Sequence, residues 1–430
     1  MKSWTSPVVP TLPPLPEALQ VHDTARGGLA DVASRDGLGS LYVCGITPYD
    51  ATHLGHANTY LQFDLLVRYW RACGLDVRYV QNVTDIDDPL LERAETTGVD
   101  WRVLAEDQTE LFRTDMQALG VIAPDVYLGA VETIPDVVED VEALVSHGVG
   151  YPVPVPAEDL PEGVAQAHDV YFDIAAAQAR TGWRLGSVGA YDRGTMEELF
   201  PERGGDPDRP GKRDPLDPLL WRARRDGEPS WDGRSLGEGR PGWHIECSVI
   251  ARRHLPAPFT VQGGGSDLRF PHHEFSAAHA TAAEGLPLAE SYVHTGMVGL
   301  DGEKMSKSRG NLVLVSRLRG EGVDPQLIRV ALLGQHWRHD WSWSDDLLDH
   351  AQVRMDRWNA ALGRAPEVHD GSPDVAEDLQ YALHAALSMN LNAPAALDQL
   401  DLWAAGQIAG GTGQDRVREV VAGLLGLRLG

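Results

Sequence analysis

Two short segments of this 430-residue chain carry side chains whose types and spacing suit work on phosphate. In THLGHAN, residues 52–58, His53 and His56 stand three apart, so on a helix both rings can turn toward one ligand. Gly55 between them lets that ligand approach the backbone. The segment lies where a strand hands over to a helix, and the free N–H groups and dipole there favour an anion such as a triphosphate. The same spacing suits a metal pair, and two histidines near a cap also occur as plain surface residues. In DGEKMSKSRGN, residues 301–311, Lys304 and Lys307 sit in a glycine-flanked stretch that reads as a mobile loop. Closed on a nucleotide, it would neutralise charge building on a leaving pyrophosphate; by itself it is a solvated charge run. The two segments together are far more specific than either alone.

A third segment, PHHEFSAAH at 271–279, opens a helix with two histidines. If His272 holds a metal, a second ligand is expected one turn later, yet that position is Ser276, a poor ligand for any transition metal. The chain has three cysteines, Cys44, Cys73 and Cys247. Their spacing does not announce a metal site, and a lone buried cysteine usually behaves as a small hydrophobe. Cys73, in the helical RACG, reads as packing.

The elements that must position these residues follow from hydrophobic periodicity. SLYVCGI reads as a buried strand, and a helix follows with Leu61, Leu65, Leu66, Tyr69 and Trp70 at helical spacing and Gly74 as its stop. VRYVQNV at 77–83 is the next strand, so the unit is βαβ and the sheet parallel. Residues 126–235, with the helix TIPDVVEDVEALVSHG and the strand-like VYFDI, break the rhythm and read as an insertion. The sheet theme returns at FTVQGGGSDL, and after residue 340 four helical segments form a bundle. The predicted α/β organisation is therefore an irregular lead-in (1–35, with LPPLP extended), a first sheet half (36–125), the insertion (126–235), a second half with the lysine loop (236–312), a connecting region (313–340) and the C-terminal bundle (341–430).

Composition narrows the classes. Hydrophobic residues make up 43%, and no tract is long and apolar enough to span a bilayer. The proline-broken N-terminus lacks the apolar core of a signal peptide, and three cysteines suit a reducing compartment, so a cytoplasmic protein is expected. A net charge of −26 argues against phosphate-backbone binding as the main task.

YVCGITPYDATHLGHANTY, NVTDIDD, RPGWHIECS, GGGSDLRFPHHE, GEKMSKSRGN and NLNAPAALDQL together resemble class I aminoacyl-tRNA synthetases, and among them cysteinyl-tRNA synthetases. The resemblance covers most of residues 40–400. It implies a Rossmann-type catalytic domain split by an insertion, a stem-contact region at 313–340, and ATP-dependent activation of an amino acid as its adenylate. It implies catalytic roles for His53, His56, Lys304 and Lys307. It implies an ATP or adenylate pocket from Cys44, Gly45, Ile46, Thr47, Gly55, Thr59, Asn82, Val83, Thr84, Trp243, the Gly265–Ser266–Asp267 turn and Val298, the last through its backbone. It also implies zinc at Cys44, Cys247 and His272. The synthetases carry a glutamate where this chain has Ser276. Three protein ligands leave tetrahedral zinc one open position, which a substrate cysteine can fill as thiolate, so serine would be rejected by chemistry rather than by shape.

Other features resemble a paralogous branch, the cysteine ligases of mycothiol biosynthesis, which join cysteine to the amine of glucosaminyl-inositol. The sequence ends at Gly430, where a synthetase would continue into an anticodon-reading domain. Residues 341–430 hold six Arg and no Lys against thirteen Asp and Glu, a net of −7, unlike an RNA-binding surface. ERGGDP at 202–207 and Ser276 also fit that branch. The expected partners are ATP with Mg²⁺, L-cysteine and glucosaminyl-inositol, with no nucleic acid, no membrane and a monomeric state. The competing readings are a compact cysteinyl-tRNA synthetase and a non-catalytic relative that binds or regulates.

Overall fold

The computed structural model describes residues 1–300, 302–305, 311–364, 375–408 and 414–430. The chain opens with a hairpin, β1 (Gln20–Asp23) and β2 (Gly28–Asp31), paired antiparallel. The lead-in is thus not irregular throughout. Trp4, Leu12, Leu19 and Val21 are buried in the main core, and this tertiary burial fixes a segment whose prolines give no periodic signal.

The catalytic sheet starts with β3 (Leu38–Val43), followed by α1 (Leu54–Ala72) and β4 (Asp76–Val83), the expected βαβ unit. Helix α1 ends on Cys73, with Gly74 just beyond at φ +77°, a left-handed value that glycine adopts without strain. Then come α2 (Asp88–Thr97), α3 (Trp101–Ala118) and β5 (Val126–Gly129). Strand β5 pairs parallel with β4, so the start of the predicted insertion belongs to the main sheet. Four residues are too short to show strand alternation, which is why β5 was not legible.

After α4 (Ile134–Ser146) the insertion builds its own sheet from β6 (Gly150–Pro154) and β7 (His168–Phe172). Helices α5 (Ile174–Arg180) and α6 (Arg193–Glu202) follow, then β8 (Leu219–Ala223) and β9 (Gly239–Pro241). The order is β6-β7-β8-β9, all neighbours antiparallel, so the inserted sheet runs past residue 235.

The second half adds α7 (Trp243–His254), β10 (Phe259–Gly265), α8 (His272–Glu284) and β11 (Ala289–Thr295). Ile245 and Val249 of α7 and Phe275 of α8 pack into the insertion's core, which ties the inserted sheet to the catalytic one. The five-stranded parallel sheet runs β11-β10-β3-β4-β5. Chain order reverses between β3 and β10, and in open parallel sheets such a switch point leaves a crevice beyond the strands' carboxyl ends. Strands β12 (Val298–Leu300), β13 (Glu303–Lys304) and β14 (Trp341–Trp343) form a small sheet, with helices α9 (Val315–Gly320) and α10 (Pro325–Leu333) between β13 and β14 in the chain. The bundle is α11 (Asp346–Leu362), α12 (Val375–Ser388), α13 (Ala393–Ala404) and α14 (Gln414–Leu425), as the periodicity predicts.

One buried ionic knot clamps the bundle to the catalytic domain. Asp64 of α1 pairs with Arg68 at 2.8 Å and with Arg329 of α10. Arg329 also donates to the carbonyls of Leu425 and Leu119, and Arg68 to those of Ala422 and Gly120. Burial alone would raise the Asp64 carboxyl, but the two guanidinium groups hold it below its usual range. Among the described residues no helix is long and apolar enough to cross a membrane.

Candidate active site

Three residues that lie far apart in sequence meet in the crevice. Cys44 directly follows β3, Cys247 projects from α7, and His272 opens α8. The Cys44 N–H donates to Gly263 O of β10 at 3.1 Å, and Tyr60 OH donates to Cys44 O at 3.0 Å, so the chain leaves β3 in a fixed direction. All three side chains are buried, and their ligand atoms lie within 4.8 Å of one another. The two sulfurs are 3.8 Å apart. Thiolates about 2.3 Å from one tetrahedral zinc stand about 3.8 Å from each other, so the donor set fits a zinc-sized soft cation.

The electrostatics agree. Burial opposes ionisation of Cys247, yet the S–H of Cys44 and the His272 ring hold its thiol well below the usual value. Burial and then Cys247 push Cys44 well up. Such a pair calls for a cation to stabilise a second thiolate.

The side chains around the centre are committed elsewhere. Ser276 Oγ donates to His272 O at 2.7 Å and lies 3.0 Å from His244 O, so the residue one turn after His272 is bonded within the fold. Glu274 accepts from Trp183 Nε1 and from the backbone N–H groups of Val188 and Gly189. Trp243 stacks on the His272 ring at 4.3 Å, and His244 Nδ1 is 3.2 Å from His272 Nδ1. Behind Cys44 runs a buried chain of side chains that residue spacing does not reveal. His273 Nε2 is 3.1 Å from Cys44 Sγ, His273 Nδ1 is 2.8 Å from His294 Nε2, and His294 Nδ1 is 2.7 Å from Thr24 Oγ1. Burial, then the neighbouring histidines, lowers His273 far below its usual value, so its ring is neutral and its tautomer is set by these contacts.

The HLGH turn faces the same cleft. The His53 and His56 rings stack at 3.9 Å with a 26° tilt. His53 caps α1, and its Nδ1 accepts the Gly55 N–H at 3.1 Å, which makes Nε2 the N–H of the neutral ring. A Cβ on Gly55 would sit 2.8 Å from the His53 ring, so the turn requires glycine. Leu54 N donates to Val313 O and Val315 N to Thr52 O, which pins the segment after the lysine loop against this turn. Lys304 is placed by its backbone on β13, antiparallel to Gly299, and Lys307 lies outside the described residues.

One cleft of 820 Å³ gathers Cys44, Gly45, Ile46, Thr47, His53, Gly55, His56, Thr59, Thr84, Trp243, Cys247, Gly265, Asp267, His272 and Val298. Asn82 and Val83 stand behind its wall, fully buried. Asn82 Oδ1 accepts from Gly45 N at 2.8 Å and Tyr42 OH at 3.1 Å, and a Cβ on Gly45 would overlap Asn82 O, so Asn82 braces the turn after β3. Ser266 belongs to the short helical turn Ser266–Arg269 beside the cleft. Thr59 shares a 2.7 Å hydrogen bond with Thr295, joining α1 to β11.

The lining also includes Asp87 and Asp88, acids of the TDIDD segment that read as caps and substrate contacts, and residues that sequence reasoning did not place in the pocket: Glu92 on α2, and Tyr171, Arg222, Arg240 and the Glu202–Asp206 loop of the insertion. Only the folding back of the insertion brings the latter group in, and no spacing encodes that. Asp87 caps α2 by accepting from Asp88 N, and burial, then Asp88, pushes its carboxyl up to about 6.

The comparisons with known proteins agree with this geometry. The family of class I (C) tRNA synthetase catalytic domains matches residues 32–353. A protein of Micrococcus luteus named L-cysteine:1D-myo-inositol 2-amino-2-deoxy-alpha-D-glucopyranoside ligase is 63% identical over the whole of both chains. Proteins of the same name from Kocuria rhizophila and Paenarthrobacter aurescens are 57% and 56% identical, again over the whole of each chain. A solved Mycobacterium tuberculosis methionyl-tRNA synthetase with methionyl-adenylate shares the fold, with a TM-score of 0.62 and 16% identity over 90% of this chain and 92% of that one. The chain therefore belongs to the class I (C) tRNA synthetase catalytic-domain family, in the branch formed by the L-cysteine:1D-myo-inositol 2-amino-2-deoxy-alpha-D-glucopyranoside ligases.

Proposed function

We propose that this protein is an ATP-dependent ligase that activates L-cysteine as cysteinyl-adenylate and transfers it to the amine of 1D-myo-inositol 2-amino-2-deoxy-α-D-glucopyranoside, a step of mycothiol biosynthesis. The observation that carries the reading is that a buried Cys44–Cys247–His272 centre and the HLGH turn line one cleft. The full-length relatives that share this name support it.

Cys44, Cys247 and His272 would hold zinc, which would bind the substrate's sulfur and favour its thiolate. Trp243, stacked on His272, closes the pocket on that side and fixes the ring. The cysteine carboxylate attacks the α-phosphorus of ATP, the bond to the bridging oxygen breaks, and pyrophosphate leaves. His53, through Nε2–H, and His56 donate to phosphate oxygens, while Lys304 and Lys307 offset the charge on the leaving group. Mg²⁺ enters with ATP, held mainly by its phosphates. The free amine of the sugar then attacks the activated carbonyl, an amide forms, and AMP departs with the carbonyl–oxygen bond. The amine sheds a proton in this step, and Asp87, raised toward neutrality in the cleft wall, is suited to receive it.

The experiment supplies ATP and cysteine with either the amino-sugar or tRNA. The ligase reading predicts AMP formation and an amide product with the amino-sugar only. Product with tRNA alone would identify a compact synthetase instead.

A further inference from the structure

The cleft is larger than the part of its lining that the activation step employs. Beyond the HLGH turn, the Gly265–Asp267 turn and the cysteine–histidine centre, its wall continues over the start of α2 and the loop that follows α6. That loop, Glu202–Asp206, is held from several sides. Arg203 donates to the carbonyls of Asp267 and Phe270, which ties the insertion to the turn after β10. Asp206 accepts from Tyr171 OH and from Lys212 Nζ, and the Lys212 ammonium lies over the Tyr171 and Phe200 rings at 5.3 and 4.9 Å. A Cβ on Gly205 would meet the Phe200 ring at 2.4 Å, so the loop presents bare backbone at this point.

The charges of this wall do not cancel. Arg203 is occupied by the two carbonyls, and Arg222 and Arg240 are paired with Glu228, Arg240 also with Asp88. Glu92 and Glu202 are exposed carboxylates with no ion pair among the described residues. Such a surface repels a polyphosphate chain, attracts an ammonium group, and accepts hydrogen bonds from vicinal hydroxyls. We propose that the start of α2, with Asp88 and Glu92, and the Glu202–Asp206 loop together form the acceptor subsite, which takes a cationic amino-polyol and selects it over a nucleic-acid end. The inference rests on the ligase reading above and assigns the surface that chooses the acceptor.

The test compares the parent with Glu92→Gln, Glu202→Gln and the double variant. As a control, Glu158→Gln removes a carboxylate of the insertion outside the cleft. KM for the amino-sugar should rise about tenfold in the double variant, the loss expected when charge-assisted hydrogen bonds go. Cysteine-dependent pyrophosphate exchange, which needs no acceptor, should stay within about twofold of the parent, and the control should keep the parent's KM. An unchanged KM in the double variant sinks the subsite alone. Exchange falling in parallel with amide formation also sinks it, because the residues would then serve activation. A parent that exchanges pyrophosphate but never joins cysteine to the amino-sugar sinks the ligase reading and the subsite with it.

Discussion

At the scale of single residues, the proposed selection of cysteine rests on sulfur chemistry rather than pocket shape. An apolar pocket separates a thiol from a hydroxyl poorly, whereas a soft cation between two thiolates and an imidazole separates them strongly. The side chains behind the ligands matter for the same reason. His273, 3.1 Å from Cys44 Sγ and braced by His294, is placed to orient that sulfur. His273→Gln should therefore weaken zinc binding by about 10- to 100-fold, read by competition with a chromophoric chelator. Unchanged affinity would reduce the His273–His294–Thr24 chain to core packing. The candidate ligands are recognisable only through the motifs around them, since Cys44, Cys247 and His272 sit 203 and 25 residues apart along the chain. His273 was in plain view beside His272, but no spacing tells which of two adjacent histidines faces a sulfur directly and which supports it.

At the scale of elements, α1 both carries the HLGH turn and seats the bundle. Its second half holds the Asp64–Arg68–Arg329 knot, and removing one member strands buried charge. Asp64→Asn should cost about 3–5 kcal/mol, seen as a melting temperature lowered by several degrees. The sign of its pH dependence follows from the depressed carboxyl. The folded value lies below the unfolded one of about 3.9, so the contribution is complete above that pH and vanishes as pH falls through the folded value. The variant should thus lose less stability than the parent on acidification below about pH 4, and equal acid sensitivity would contradict the role given to Asp64. Long periodic elements such as α1, β4 and the four bundle helices were readable from the sequence, because burial on one face leaves a repeating signature. The opening hairpin, the short β5 and the Arg329 clamp were not, because each depends on partners distant in the chain.

At the scale of the whole molecule, two sheets and a bundle converge on one acidic protein. The net charge of −26 and the carboxylate-rich end of the cleft favour a small cationic acceptor over a polyanion. The switch point between β3 and β10 places the candidate adenylation site, and the insertion adds the proposed acceptor wall to the same cleft. All of this presupposes that the substrate's sulfur meets a metal at Cys44, Cys247 and His272. The most direct measurement is pyrophosphate exchange driven by cysteine or by serine, in zinc-loaded and chelator-stripped protein. Loaded protein should favour cysteine on the order of a thousandfold or more, and stripped protein should lose this activity until zinc is restored. Full exchange by metal-free protein, or equal use of serine and cysteine by loaded protein, would contradict it.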